Sequence, residues 1–235
     1  MSPRNRLVLF DIDGTLLSAS SVPARILGEV LTEVFGTTGG MEGFDYSGKT
    51  DPQIARELMR GAGVGEEQIA RALPEALSRY LERLAARLAP EHVKAKPGVG
   101  PLLDRLAAEP GVTLGLLTGN LERGARLKLG PLDLNRHFSF GAYGSDSEDR
   151  YTLPPLAVER AHARTGVRFV GQEVVIVGDS VHDVLCGRSI GVRAVAVSTG
   201  PTPRSRLLAS GPDALLDDFS DTEAALRALL NGAAG

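Results

Sequence analysis

Near its start the chain reads LVLFDIDGT over residues 7–15, four apolar residues followed by two acids that flank one isoleucine. A short, continuous apolar run bounded by turn formers is typical of a buried strand in a parallel sheet. Asp11 and Asp13 follow this run directly, and Gly14 permits a sharp turn after them. The stretch therefore predicts a pair of carboxylates at the edge of a sheet.

Further strands and helices alternate along most of the chain. Short apolar runs predict strands at residues 112–117, 174–177 and 193–197. Apolar residues at three- and four-residue spacing predict helices at 99–108, 121–129, 153–164, 181–189 and 222–230. This alternation predicts an α/β fold with a doubly wound, Rossmann-like parallel sheet, in which ligands bind beyond the carboxyl ends of the strands.

Residues 18–94 break the alternation, because their pattern predicts helices only, at 22–35, 52–62 and 66–88. Turn formers flank the segment at 18–21 and 96–98, as a hinge requires. We therefore expect a helical cap over residues 18–94, inserted into an α/β core formed by 1–17 and 95–235.

Composition excludes several other classes of protein. The 26 basic and 29 acidic residues are interspersed and sum to a net charge of -3, so no basic stripe is available for nucleic acid. With Cys186 as the single cysteine, no intrachain disulfide can form. No targeting or membrane-spanning run is recognisable at the start. We expect a cytoplasmic protein without nucleic-acid or membrane partners.

A second acidic cluster, GDSVHD at 178–183, follows another predicted strand. Taken alone, the Asp-Gly-Thr segment at 13–15 would be explained best as a turn, with Asp11 as a helix or turn cap. However, Asp179 and Asp183 add carboxylates at the same sheet edge as Asp11 and Asp13, and such crowding is costly unless a cation binds. Oxygen ligands without a Cys/His cluster favour Mg²⁺ over zinc.

These residues could carry out phosphoryl transfer. A carboxylate such as Asp11 can attack phosphorus to form an aspartyl-phosphate, and Asp13 can protonate the leaving group and then deprotonate water. Thr118 follows a third strand and can donate its hydroxyl to a phosphoryl oxygen, joined by the amides of Gly119 and Asn120. For Thr118 an N-cap is the alternative interpretation.

Together these segments resemble the haloacid dehalogenase superfamily, in the branch with a helical cap between its first two motifs. Residues 11–15 match motif one, 117–120 match motif two, and Gly178, Asp179 and Asp183 match motif four. The resemblance covers nearly the whole chain, and its layout is most similar to that of phosphoglycolate phosphatases. Dehalogenases of the superfamily lack the second aspartate of motif one, so Asp13 favours a phosphatase.

The resemblance implies a role for each motif residue. Asp11 would be phosphorylated, Asp13 would be the acid/base, and Thr118 would assist catalysis. Mg²⁺ would be held by Asp11, the main-chain carbonyl of Asp13, and Asp179, with Asp183 supporting its water shell. The predicted substrate-binding residues are Thr15, Gly119, Asn120 and Lys49.

Motif three departs from the family pattern, because the usual lysine is absent. Arg150 is the nearest cation and the first candidate for a catalytic phosphoryl clamp, and Lys128 is the second. Alternatively, Arg150 pairs with nearby acids on the surface and Lys128 is a solvated helix residue. Lys49 lies in a polar cap segment that either contacts the substrate or begins a helix capped by Thr50 or Asp51.

The favoured function is Mg²⁺-dependent hydrolysis of a small phosphorylated metabolite. One alternative is a sugar-phosphate mutase of the same fold, in which the aspartyl-phosphate passes to a substrate hydroxyl. Another is a non-enzymatic phospho-acceptor, similar to a response-regulator receiver, but a receiver needs neither this length nor a helical insert. The sequence does not specify the substrate, because specificity depends on the orientation of cap side chains.

Overall fold

The computed structural model describes residues 5–231. The strands are β1 Arg6–Phe10, β2 Leu17–Ala19, β3 Val93–Ala95, β4 Val112–Leu117, β5 Gly141–Ala142, β6 Val174–Gly178, β7 Arg193–Val197 and β8 Ala214–Leu216. The helices are α1 Val22–Phe35, α2 Asp51–Gly61, α3 Glu66–Arg87, α4 Val99–Ala108, α5 Glu122–Leu129, α6 Leu153–Thr165, α7 Val181–Ser189, α8 Arg204–Ala209 and α9 Thr222–Leu226.

Six strands within residues 5–231 form a parallel sheet in the order β5-β4-β1-β6-β7-β8. This confirms the predicted doubly wound α/β fold. The chain leaves β1 for β4 on one side and later returns to β6 on the other, so β1 lies where the winding changes direction. Residues that follow β1, β4 and β6 therefore meet at one edge of the sheet.

The central strand β1 is buried on both faces, which explains its continuous apolar sequence. On one face Phe10 packs edge-on against Phe138 and Phe219, with ring centroids 6.2 and 6.4 Å apart. On the other face, Leu9 belongs to the apolar cluster that contains Leu153 of α6. Packing on both faces fixes where β1 ends in the sheet and therefore the position of Asp11.

The insert contains α1, α2 and α3, which share an apolar core of their own. The expectation that residues 18–94 contain helices only is wrong at the ends of the segment, where β2 and β3 pair as an antiparallel ribbon with Leu17 opposite Ala95. Strands of three residues are too short for an alternating pattern to be visible. The domain boundaries at 17/18 and 94/95 fall within this ribbon and stay a prediction.

Several short elements at the periphery differ from the prediction. The edge strands β5 and β8 have two and three residues, and neither they nor α8 were predicted. The last predicted helix, 222–230, is divided into α9 and a π-helical turn at Arg227–Asn231. In the part of the chain that the structure describes, no helix is long and apolar enough to cross a membrane.

The turn that leads from the ribbon into α4 depends on one glycine. Gly98 has φ 75°, and a Cβ there would lie 1.9 Å from the main-chain oxygen of Phe219. We predict that Gly98→Ala lowers the free energy of unfolding by at least about 1–2 kcal/mol, the usual cost of a left-handed conformation outside glycine. Urea unfolding followed by circular dichroism measures this change.

Gly100 in α4 provides the matched control, because a Cβ there would meet no atom within 4 Å. Gly100→Ala should leave stability unchanged or raise it by about 0.5–1 kcal/mol, as alanine is the better helix former. Equal stabilities of the two variants would contradict the importance of the Gly98 turn.

Candidate active site

Three strand ends place polar residues at one edge of the sheet, as predicted. Asp11 follows β1 and its amide donates to the carbonyl of Val177 in β6 at 2.9 Å. Thr118 follows β4, and Asp179 follows β6. These residues line a cavity of about 550 Å³ that lies between the sheet edge and the insert.

Asp11, Asp179 and Asp183 form a buried carboxylate cluster, in which one oxygen of each lies within 4.8 Å of the others. Burial raises the pKa of Asp11 to about 7; the charge of Arg150 opposes this rise, whereas Asp183 and Asp13 add to it. Burial, followed by repulsion from Asp11 and Asp183, also raises the pKa of Asp179 well above its usual value. Burial and mutual repulsion therefore both disfavour the charged forms of these carboxylates.

Local hydrogen bonds fix two members of the cluster. Thr15, which is fully buried, donates its hydroxyl to Asp179 at 2.8 Å. Ser180 is the N-cap of α7 and donates its amide and hydroxyl to Asp183 at 3.0 and 2.6 Å in a capping box. Thr15 was predicted to bind substrate; the structure shows its hydroxyl bonded to Asp179, and substrate binding by Thr15 stays a prediction.

Arg150 begins a single 3-10 turn and is only 3% exposed. Its guanidinium donates a hydrogen bond to Asp183 and lies 3.3 Å from Asp11. Although burial lowers the pKa of Arg150, the charges of Asp183 and Asp11 raise it overall. The alternative of a surface pair with nearby acids is wrong, because the partners of Arg150 are the buried carboxylates.

Lys128 contacts a different carboxylate. Its ammonium group lies 2.7 Å from Asp13 Oδ2 and 2.6 Å from Asn120 Oδ1, and the residue is 5% exposed. The alternative of a solvated helix residue is therefore wrong. Asn120 in turn donates to Asp13 at 2.8 Å and to the Thr118 hydroxyl oxygen at 2.9 Å. Thr118 keeps its own hydroxyl proton for another acceptor.

The carboxylate cluster fits a divalent cation. Three hard oxygen donors converge and Arg150 supplies one positive charge, so the ionised cluster has an excess of negative charge that a cation would balance. The carboxylate of Asp13 is not part of this cluster, since it points to Lys128 and Asn120. This agrees with a role for the main-chain carbonyl of Asp13, although that role stays a prediction.

Residues 8–197 match the family model described as haloacid dehalogenase-like hydrolase. The chain belongs to this family. The match includes the three strand ends, the insert and Arg150.

Two curated proteins with similar sequences are phosphoglycolate phosphatases. Phosphoglycolate phosphatase 1 of Pseudomonas aeruginosa is 26% identical over 92% of this chain and 78% of its own length. The phosphoglycolate phosphatase of Synechococcus elongatus is 29% identical over 95% of this chain and 98% of its own length. The chain is therefore homologous to phosphatases over most of its length.

Two solved structures share the fold of this chain. A predicted phosphoglycolate phosphatase from Haemophilus somnus superimposes with a TM-score of 0.67 and 21% identity, covering 96% of this chain and 99% of its own. A predicted phosphatase from Clostridium acetobutylicum gives a TM-score of 0.70 at 17% identity, covering 96% and 100%. The α/β core with an inserted cap is thus the architecture of this family.

The polar segment of the insert before α2 lines the cavity on its far side. Lys49 lies over the ring of Phe44, 4.4 Å from its centroid, and forms an ion pair with Glu57. Thr50 caps α2 by accepting from the amide of Gln53 at 3.2 Å, which confirms the capping interpretation for this residue. Substrate binding by Lys49 stays a prediction.

The insert also contacts the motif-two loop through Asp51, a residue whose role the sequence did not reveal. Asp51 accepts from the amide of Leu121 and donates its own amide to Gly119, both at 2.8 Å. Burial raises the pKa of Asp51 to about 6, against the opposing charge of Lys128. Other cavity residues missed from sequence are Tyr80, Lys96, Thr199 and Gly200. They belong to no motif, so only the fold places them.

The excess negative charge of the carboxylate cluster leads to a prediction about Mg²⁺ binding and thermal stability. Mg²⁺ should raise the midpoint of thermal unfolding, because it binds only the folded carboxylate cluster. Asp179→Asn removes one repelling charge, so this variant should melt at a higher temperature than the wild type without metal and should lose the Mg²⁺ response. Differential scanning calorimetry with EDTA or Mg²⁺ measures both effects.

Asp217→Asn is the matched control, since the Asp217 side chain is 84% exposed and lies outside the cluster. This variant should retain the full Mg²⁺ response. An unchanged response in Asp179→Asn would show that the cluster does not bind the ion.

Proposed function

We propose that this protein is a Mg²⁺-dependent phosphatase that hydrolyses a small phosphorylated metabolite through an aspartyl-phosphate on Asp11. One observation carries the proposal: Asp11 and Asp13 line the same cavity, yet each contacts a different cation. Asp11 lies 3.3 Å from Arg150, and Asp13 lies 2.7 Å from Lys128. Separate surroundings allow two neighbouring carboxylates to take different roles.

In the first step, an oxygen of Asp11 attacks phosphorus and the bond between phosphorus and the leaving oxygen breaks. The leaving oxygen takes the electron pair of that bond and the proton of the Asp13 carboxyl group. The products are the aspartyl-phosphate on Asp11, the free alcohol and the Asp13 carboxylate.

In the second step, the Asp13 carboxylate takes a proton from water as the water oxygen attacks phosphorus. The bond between phosphorus and Asp11 breaks, and its electron pair returns to the Asp11 carboxylate. Inorganic phosphate leaves, and both carboxyl groups are restored to their starting states.

Other residues of the site would stabilise the charge of the transferring phosphoryl group. Arg150 is next to Asp11, and the hydroxyl of Thr118 is free to donate. Mg²⁺, when held by Asp11, Asp179 and the Asp13 carbonyl, supplies charge neutralisation for the phosphoryl oxygens. The insert covers the cavity and would keep bulk water from the intermediate.

The curated relatives support phosphoglycolate as the first substrate to test. Both relatives named above are phosphoglycolate phosphatases, at 26% and 29% identity. Substrate specificity can differ between proteins at this level of sequence identity. The test is therefore a panel of phosphate esters that includes phosphoglycolate, with phosphate release measured in Mg²⁺ and in EDTA. Release in EDTA equal to that in Mg²⁺ would contradict the metal dependence.

We predict that Asp11→Asn lowers kcat by several orders of magnitude while the protein stays folded, because the amide keeps the shape and loses the nucleophile. p-Nitrophenyl phosphate hydrolysis measures the rate, and circular dichroism checks the fold. Acid quench with labelled substrate should trap phosphoenzyme in the wild type and none in Asp11→Asn. A folded variant with near wild-type turnover would exclude the covalent mechanism.

We further predict that Arg150→Ala lowers kcat/KM by about 10²–10³-fold, the usual effect of losing one donor to a transition-state oxyanion. Arg160→Ala is the control, because Arg160 is half-buried on α6, pairs with Asp146 and is not among the residues that line the cavity. It should behave as the wild type. Arg150→Lys retains the charge and should recover part of the loss. If Arg150→Ala stayed near wild type, another cation would hold the phosphoryl group.

A further inference from the structure

We infer that Lys128 is a positioning residue for the general acid/base: it fixes Asp13 so that only one carboxylate oxygen, Oδ1, is available for proton transfer. The inference rests on the proposed function, since it assigns the proton transfers to Asp13. It goes beyond that function by adding a residue on α5 that belongs to none of the motifs.

The geometry of Asp13 carries the inference. Its Oδ2 accepts from Lys128 at 2.7 Å and from Asn120 at 2.8 Å, and these two donors are themselves joined at 2.6 Å. Within residues 5–231, no hydrogen bond reaches Oδ1 of Asp13. The Asp13 side chain is 42% exposed and lines the cavity, so Oδ1 is the oxygen left for the substrate and water.

The buried position of Lys128 requires carboxylate partners for its ammonium group. The residue lies in the last turn of α5 and is 5% exposed, and burial of an ammonium group is unfavourable without partners. Asp13 compensates this cost by direct contact, and Asp51 of the insert contributes through its nearby charge. Arg126 on the same helix turns away to the carbonyl of Phe138. Lys128 is therefore directed to the acid/base and the insert.

The two chemical steps need Asp13 to different extents, which provides a kinetic signature. p-Nitrophenolate departs without a proton, so phosphorylation of Asp11 by p-nitrophenyl phosphate needs little general acid. Phenoxide is a poorer leaving group, and phosphorylation by phenyl phosphate needs the proton. Hydrolysis of the aspartyl-phosphate needs Asp13 as base with either substrate. Loss of Lys128 should thus slow some steps selectively, whereas general damage to the site would slow all of them.

The test is Lys128→Met, which keeps the length of the side chain and removes its charge and donors. With p-nitrophenyl phosphate, stopped-flow absorbance should show a burst of about one p-nitrophenolate per enzyme at the wild-type rate. The steady state that follows should be slower by about 10²-fold, the low end for general acid/base catalysis. Both kcat and KM should fall together, while kcat/KM stays within a few-fold of the wild type.

With phenyl phosphate, the first turnover of Lys128→Met should itself slow by about 10²-fold in quenched flow. Arg123→Met is the matched control, since Arg123 is an exposed cation on the same helix. This variant should show wild-type kinetics with both substrates. If Lys128→Met had wild-type kinetics, or if it lost the same factor in the first turnover of both substrates, the positioning role would be wrong.

Two further measurements keep the result interpretable. If Lys128→Met does not fold, Lys128→Met/Asp51→Asn removes the carboxylate charge left facing the vacated position, and the same kinetic signature should appear in this double variant. The absence of that signature in the folded double variant would also overturn the inference. Acid-quench trapping of phosphoenzyme separates the two hypotheses. If the wild type forms no phosphoenzyme, the proposed function is wrong. If the wild type forms phosphoenzyme and Lys128→Met has wild-type kinetics, only the role of Lys128 is wrong.

Discussion

The register of the parallel sheet brings like charges together, and the rest of the site accommodates this arrangement. The amide of Asp11 is bonded to Val177, so the first residue after β1 lies beside the last residues of β6; Asp179 follows β6 directly, and Asp183 lies in the first turn of α7. Backbone hydrogen bonds along two central strands impose this proximity on the carboxylates. The resulting repulsion and desolvation favour binding of cations at this position.

The cations come from distant parts of the chain and serve different carboxylates. Arg150, from the turn before α6, contacts Asp11 and Asp183, whereas Lys128, from α5, contacts Asp13. The planar guanidinium of Arg150 has several donors in a fixed arrangement, which suits contact with two carboxylates at once. The compact ammonium suits a site that must fix one carboxylate oxygen. This division gives two acids that are only two residues apart separate chemical environments.

The sequence predicted the parts of the fold whose pattern is local and long enough to recognise. The buried strand before Asp11 and the helices of the insert were predicted because apolar periodicity reports burial directly. The ribbon that starts at Leu17 was missed because three residues carry no period. The contact between Lys128 and Asp13 could not be predicted, since a lysine on an amphipathic helix is usually solvated, and only tertiary packing shows that this one is buried.

Contacts between the insert and the core involve the motif-two loop at residues 118–121. A Cβ at Gly119 would lie 2.1 Å from the carbonyl oxygen of Lys49, so the two backbones approach as closely as glycine permits. The carbonyl of Gly119 accepts the amide of Asp51, while Asn120 on one side donates to Asp13 and to the hydroxyl oxygen of Thr118 on the other. Asp51 of the insert is hydrogen-bonded to Gly119 and Leu121 of this loop, which also orients these two side chains. Displacement of the insert would therefore remove two hydrogen bonds from the loop. The position of the insert therefore affects the loop from which Asn120 contacts Asp13.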